Sequence, residues 1–183
     1  PIIQLGRQIG CYVTVLEDRP KFADNARRAG ADKVICDIFE AGLEQIPGDS
    51  DTFFVIVTRG HVYDRICLES IVRKPHAYIG MMGSRRRVAQ VKHSVLENGA
   101  DPQVISQLHS PIGLDIKAET PEEIAISIMA EIIQVKNQDK RGAGYSNEIR
   151  DAIVKCEDQK KILATIVERK GSAPRSVGTK MLI

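Results

Sequence analysis

Phe53-Phe54-Val55-Ile56-Val57, followed at once by Thr58-Arg59-Gly60-His61, is the most informative stretch of this sequence. A strand with one wet face alternates apolar and polar residues. This one is apolar at every position, so both of its faces are covered, as in a parallel sheet sandwiched by helices. Downstream, the spacing predicts a helix from about Tyr63 to Arg73, stopped by Pro75, and then a strand from about His76 to Ile79. Upstream, Cys11-Tyr12-Val13-Thr14-Val15-Leu16 is a β-branched run that ends in Glu17-Asp18-Arg19-Pro20, and Pro20 forbids its continuation as a central strand. Lys33-Val34-Ile35-Cys36 is a further short strand, after a helical turn closed by Gly30. Strand and helix alternate throughout, which is the pattern of a doubly wound α/β sheet.

The flanks extend this reading. Ile2, Ile3, Leu5 and Ile9 fall on a helical period with Gly10 as the expected C-terminal cap, so the sequence opens in a helix. The strand and glycine-rich turn that would normally open such a domain are not among these residues. Ser84 caps a helix to Asn98 and Gly99, and a short helix follows Pro102. Thr120 with Glu123 forms a capping box and Pro121 sits in the first turn. Ile124, Ala125, Ile128, Met129, Ile132 and Ile133 then make one apolar stripe. Asn137 to Ser146 is polar and patternless and reads as a linker. The expected organisation is an α/β domain over residues 1–140 and part of a second, smaller domain over 148–183. In the second, Asn147 caps a helix to about Glu157, Lys161 to Glu168 is a strand, Lys170 to Arg175 a turn, and Thr179 to Ile183 the start of another strand.

Composition sets the outer limits. At 183 residues the chain is long enough to bury about 70% of its unfolded surface without metal or disulfide support. Its 26 Lys and Arg against 24 Asp and Glu, with no basic run longer than Arg85-Arg86-Arg87, give little reason to expect nucleic acid as a partner. No apolar run approaches the roughly 18 residues that span a bilayer, and no leader opens the sequence, so a cytoplasmic protein without membrane contact is expected. Cys11, Cys36, Cys67 and Cys156 match neither metal-site nor disulfide spacing. They are expected as reduced thiols, with Cys11 and Cys36 as core residues on strands.

In doubly wound sheets ligands bind at the carboxyl ends of the strands. Asp18-Arg19 occupies one such end, where an acidic residue accepts a ribose hydroxyl in dinucleotide folds; the alternative is that Asp18 caps the Phe22-Ala23 turn. Thr58-Arg59-Gly60-His61 offers hydroxyl, guanidinium and imidazole at a second end, with Asp64 one helical turn on. Gly80-Met81-Met82-Gly83-Ser84-Arg85-Arg86-Arg87 places three arginines in a first helical turn, where the dipole repels cations. A bound phosphate or other oxyanion resolves that conflict, and so would pairing with nearby carboxylates. His109-Ser110-Pro111 reads as a structural turn, and His76 and His93 as incidental.

These motifs resemble those of the xanthine dehydrogenase accessory proteins of the XdhC/CoxI type. Thr58 to His61, Tyr78 to Arg85, His109 to Ile116 and Glu119 to Ala125 are similar to the motifs of that family's Rossmann domain in order and spacing, and Leu163 to Met181 is similar to the opening of its other domain. The resemblance implies a Rossmann-like fold and a factor that binds the molybdenum cofactor (molybdopterin). Such a factor protects the cofactor while a desulfurase installs its sulfur ligand, and passes it to a molybdenum hydroxylase apoenzyme. No turnover of a substrate is implied, and a homodimer is compatible with it. The expected cofactor-binding residues are Asp18, Arg19, Thr58, Arg59, Gly60, His61, Gly80, Gly83, Ser84, Arg85, Ser172 and Arg175. Three departures stand out: Lys117 replaces the glycine usual before Ala118-Glu119, the glycine-rich turn expected before Pro1 is not among these residues, and the two domains occur in reverse order. The competing readings are an NAD(P)-dependent oxidoreductase, with Asp18 on the ribose and His61 as proton donor, and a nucleotide-sensing module.

Overall fold

The computed structural model describes residues 1–138, 163–165 and 180–182. The chain divides into two compact units, Pro1–Val135 and Lys136–Ile183. In the first, α1 (Ile2–Gln8) leads to β1 (Thr14–Glu17), α2 (Pro20–Arg28), β2 (Lys33–Cys36), α3 (Phe39–Glu44), β3 (Phe53–Ile56) and α4 (His61–Ile71). It continues through β4 (Tyr78–Met81), α5 (Arg85–Glu97), α6 (Pro102–Ser106) and α7 (Pro121–Gln138), whose last residues enter the second unit. In the second unit β5 (Leu163–Thr165) runs antiparallel to β6 (Lys180–Leu182).

Both ladders of the first unit are parallel. Val15 pairs with Val34 in β1–β2, Phe54 pairs with Ile79 in β3–β4, and a parallel bridge from Gly80 to His109 extends the latter. No ladder joins β1 to β3 among the described residues, so the sheet comes as two parallel pairs. Leu16 nevertheless packs on the cluster that holds Phe54 and Ile56, and Arg59 reaches Asp18 at 3.4 Å.

The uninterrupted apolarity of β3 has the consequence expected of it. Phe54 and Ile56 join Leu43, Cys67, Leu68, Ile79, Met81 and Val91 under α3, α4 and α5. Phe53 and Val55 point the other way and pack against Tyr78, Ile112, Ile128 and Ile132, with Ile2, Leu5 and Ile9 of α1 on the same face. Each fully buried aliphatic side chain contributes about 1.5–3 kcal/mol, so the two covered faces account for why these strands are strands. Gly10 adopts φ +84°, the left-handed cap that the helical reading required. The capping box of α7 forms: Glu123 N–H donates to Thr120 Oγ1 at 3.2 Å, and Thr120 N–H to Glu123 Oε2 at 3.0 Å.

Several expectations need correction. The first strand starts at Thr14 rather than Cys11, because Val13 N–H donates to the Asp32 carboxylate at 2.8 Å instead of to a ladder. β4 is shifted two residues later than expected, and α3 has no counterpart in the sequence pattern. Cys11 is half-buried ahead of β1 and Cys36 is exposed at the end of β2, so neither is a core strand residue; the buried thiol is Cys67, pushed up to about 12 by burial and then by Asp64 and Glu40. The expected helix at 147–157 and turn at 170–175 lie outside the described residues.

Candidate functional site

The carboxyl ends of β1, β3 and β4 converge, and each leaves the sheet differently. β3 exits through Val57-Thr58-Arg59-Gly60 into α4. Asp64, one turn into that helix, is wholly buried. Its two oxygens are occupied by separate elements: Thr58 Oγ1 donates to Oδ1 at 2.5 Å, and Arg87 Nε of α5 donates to Oδ2 at 2.5 Å. Arg87 Nη2 also contacts Oδ2, and it donates to the Thr58 carbonyl at 3.3 Å. Asp64 is therefore the keystone between two loops and is not a partner for His61.

β4 leaves beside β3, with Met82 N–H donating to the Ile56 carbonyl at 2.9 Å. Ser84 caps α5, its Oγ accepting from Arg87 N–H at 3.3 Å. One of the three arginines thus follows the alternative of carboxylate pairing. Arg85 and Arg86 are exposed, and no ion pair reaches them among the described residues. The glycines differ too. A Cβ at Gly80 would stand 2.4 Å from Tyr78 Oη and 2.5 Å from Ile112 Cδ1, so that glycine is needed for internal packing rather than for ligand approach. At Gly60 a Cβ would meet nothing within 4 Å, which leaves open space before α4.

β1 ends in Glu17-Asp18-Arg19. Burial would raise the Glu17 carboxyl, but its bonds to Arg19, at 2.7 and 3.1 Å, hold it below its usual range. Arg19 also lies over the Phe22 ring at 3.6 Å, so its guanidinium is committed locally. Asp18 does not cap α2; the N-cap is Arg19, without a side-chain bond. Asp18 Oδ2 takes a long 3.4 Å contact from Arg59, while its buried Oδ1 lies 3.7 Å from Arg19 Nε and has no hydrogen-bond partner. A buried carboxylate oxygen without a donor is costly, and a ligand hydroxyl or N–H would satisfy it.

A second cluster, on the α7 face, carries no local sequence signature. Tyr78 Oη donates to Glu131 Oε2 at 2.5 Å, Gly113 N–H donates to the same oxygen at 2.9 Å, and His109 Nδ1 lies 3.1 Å from Oε1. Burial raises Glu131, and these bonds outweigh it, leaving the carboxyl below its usual range. Burial, then Glu131, pushes the Tyr78 hydroxyl strongly up. His109 and Glu131 are twenty-two positions apart, too far for any local pattern to pair them. His76 Nδ1 lies against the Lys74 carbonyl, and His93 pairs with Glu97 on the surface. Ser172 and Arg175 lie outside the described residues. Among the described residues no group of three His, Cys, Asp or Glu side chains could hold a metal ion, and no helix is long and apolar enough to cross a membrane.

Residues 1–132 match the family described as the XdhC Rossmann domain, and residues 157–183 match the XdhC and CoxI family. The chain belongs to the XdhC/CoxI family. Among curated relatives of this XdhC/CoxI chain, YqeB of Escherichia coli (strain K12) is 41% identical over 54% of the chain and 18% of its own length. A probable xanthine dehydrogenase component of Bacillus subtilis (strain 168) is 31% identical over 75% of the chain and 40% of its own length. A crystal structure titled as a xanthine dehydrogenase from Bacillus halodurans superposes with a TM-score of 0.67 at 32% identity, covering 79% of this chain and 41% of that one. The chain thus spans less than half the length of these relatives. Lys117, where the resemblance led to the expectation of glycine, has φ +61°, a left-handed backbone that glycine adopts without cost.

Proposed function

We propose that this XdhC-family chain is part of a maturation factor that holds the molybdenum cofactor by its phosphate at the carboxyl rim, shields it during sulfuration by a desulfurase, and passes it to a xanthine dehydrogenase-type molybdenum hydroxylase apoenzyme. The observation that carries this reading is the division of labour among adjacent arginines. Arg87 is neutralised by buried Asp64, while Arg85, at the start of the same helix, is exposed without a carboxylate partner. The free N–H groups of the first turn and the Arg85 guanidinium favour a phosphate. Ser84 Oγ already accepts a backbone bond and keeps its own proton to donate. Asp18 Oδ1 accepts a hydroxyl or N–H from the cargo, and the space before Gly60 admits it, with His61 and Arg59 at its edge. The molybdenum and its sulfur ligand are cargo, so no residue of this chain is assigned to turnover.

A second reading, NAD(P) binding, draws on the unsatisfied oxygen of Asp18 at a strand tip, the position suited to a ribose diol. The chain is to be purified from cells that make molybdenum cofactor, its bound pterin and molybdenum quantified, and the stripped protein titrated calorimetrically with NAD and NADP. Stoichiometric pterin with no dinucleotide heat supports the maturation reading. Dinucleotide binding with no retained pterin replaces it by the second.

A further inference from the structure

The surface formed where β3 and β4 leave the sheet combines two features that globular surfaces usually keep apart. Val57, Val62 and Met82 are 50%, 48% and 37% exposed, although each directly follows or opens an element of the core. They are neighbours, because Met82 N–H is bonded to the Ile56 carbonyl, one residue before Val57, and Val62 lies in the first turn of the helix that Gly60 caps. Around them stand Arg59, Arg85 and Arg86. Of the nearby carboxylates, Asp64 is fully buried and spent on Thr58 and Arg87. Asp18 makes only long contacts, with Arg59 at 3.4 Å and Arg19 at 3.7 Å, which leaves Arg85 and Arg86 as the arginines here without an acidic partner among the described residues. Between Glu69 and Glu97 the sequence holds six Lys and Arg and no acidic residue, in a chain whose total charges nearly balance.

We propose that this rim is a docking surface for a protein partner that presents an acidic, apolar-centred patch. Resting on the reading above, that partner is the hydroxylase apoenzyme that receives the cofactor. A phosphate at Arg85 accounts for one unpaired arginine and leaves Arg86 and the three apolar side chains without a role. Apolar groups grouped inside a charged border match the anatomy of protein interfaces, in which a dry centre carries affinity and border charges guide encounter. Arginines in the first turn of α5 oppose the helix dipole, so their presence lowers helix stability while it raises attraction for an acidic surface. That trade-off makes the surface testable without unfolding the protein: an acid at Arg86 or Val62 suits the helix N-terminus it would occupy.

The probe is xanthine dehydrogenase apoenzyme, its binding to the whole chain followed by interferometry at two salt concentrations, with thermal melts and pterin content in parallel. Arg86→Glu and Val62→Glu are expected to weaken binding about tenfold or more each, chiefly at low salt for Arg86→Glu, with melting unchanged or raised and pterin retained. Arg28→Glu, at the far end of α2, is expected to bind as the parent does. Equal binding by all variants overturns the docking surface, and so does an apoenzyme that does not bind the parent chain. A parent chain that sediments as a dimer and dissociates on Arg86→Glu also overturns it, by assigning the rim to a second copy. Loss of pterin from the parent with docking still dependent on Arg86 removes the cofactor reading and leaves the surface standing.

Discussion

Asp18 and Asp64 both follow the carboxyl ends of strands, within one network of loops, and they have opposite environments. Asp64 is sealed from water, with both oxygens filled by groups that belong to the chain. Asp18 is partly accessible, with two long contacts, from Arg59 and Arg19, and one oxygen without a hydrogen bond. A carboxylate whose partners are all internal holds the scaffold, whereas one left short of donors is poised for something the chain does not contain. The same division runs through the three consecutive arginines, of which only Arg87 turns inward.

The contrast is expected to show most strongly at Asp64. Asp64→Ala leaves the Arg87 guanidinium without its counter-charge and is expected to cost about 3–5 kcal/mol in urea unfolding, the scale for breaking a buried pair. Asp18→Ala, by contrast, removes only long contacts with partly exposed arginines and is expected to change stability by less than about 0.5 kcal/mol and to lower ligand retention. A result in which the two substitutions destabilise equally would erase the distinction.

The Glu131 cluster extends the contrast to the other face. Tyr78→Phe removes a hydrogen bond to a charged group and is expected to cost about 1.5–3 kcal/mol. Because the folded pKa of Glu131 lies below its usual 4.5, its contribution is present above that value and is lost as pH falls through the lower folded value. Glu131→Gln is therefore expected to flatten the acid limb of the stability profile below about pH 4.5, with little change in slope at neutral pH. An unchanged acid limb would show that the bonds from Tyr78 and Gly113 do not hold the carboxylate charged.

A smaller effect concerns Lys117. Its pair with Asp115 is almost fully exposed on both sides, and its φ of +61° is unfavourable for a side chain. Lys117→Gly is expected to stabilise by about 0.5–1 kcal/mol, the left-handed penalty less the extra entropy of an unfolded glycine.

The two aspartates also mark where sequence reading succeeds and stops. β3 is legible because five apolar residues in a row leave no other placement, and the α7 cap because Thr120 and Glu123 meet within a single turn. Arg87 is not distinguishable from Arg85 and Arg86 by pattern, since what separates them is Asp64, twenty-three positions earlier and on another helix. Likewise Gly80 reads as a ligand-approach glycine in sequence, and only the fold brings Tyr78 and Ile112 to where its side chain would be. Cys36 has a strand-like neighbourhood but sits at the strand's exposed end, which a four-residue pattern cannot reveal. Long-range pairing of charged groups decides the site, and local pattern does not encode it.

The proposed function stands on Arg85 serving a ligand while its neighbour Arg87 serves the fold. The decisive quantity is pterin retained per folded chain in Arg85→Ala, purified from cells that make molybdenum cofactor. A loss of roughly tenfold or more, the worth of a charge-assisted hydrogen bond, is predicted in a protein that melts with its parent. Retention equal to that of the parent would contradict it.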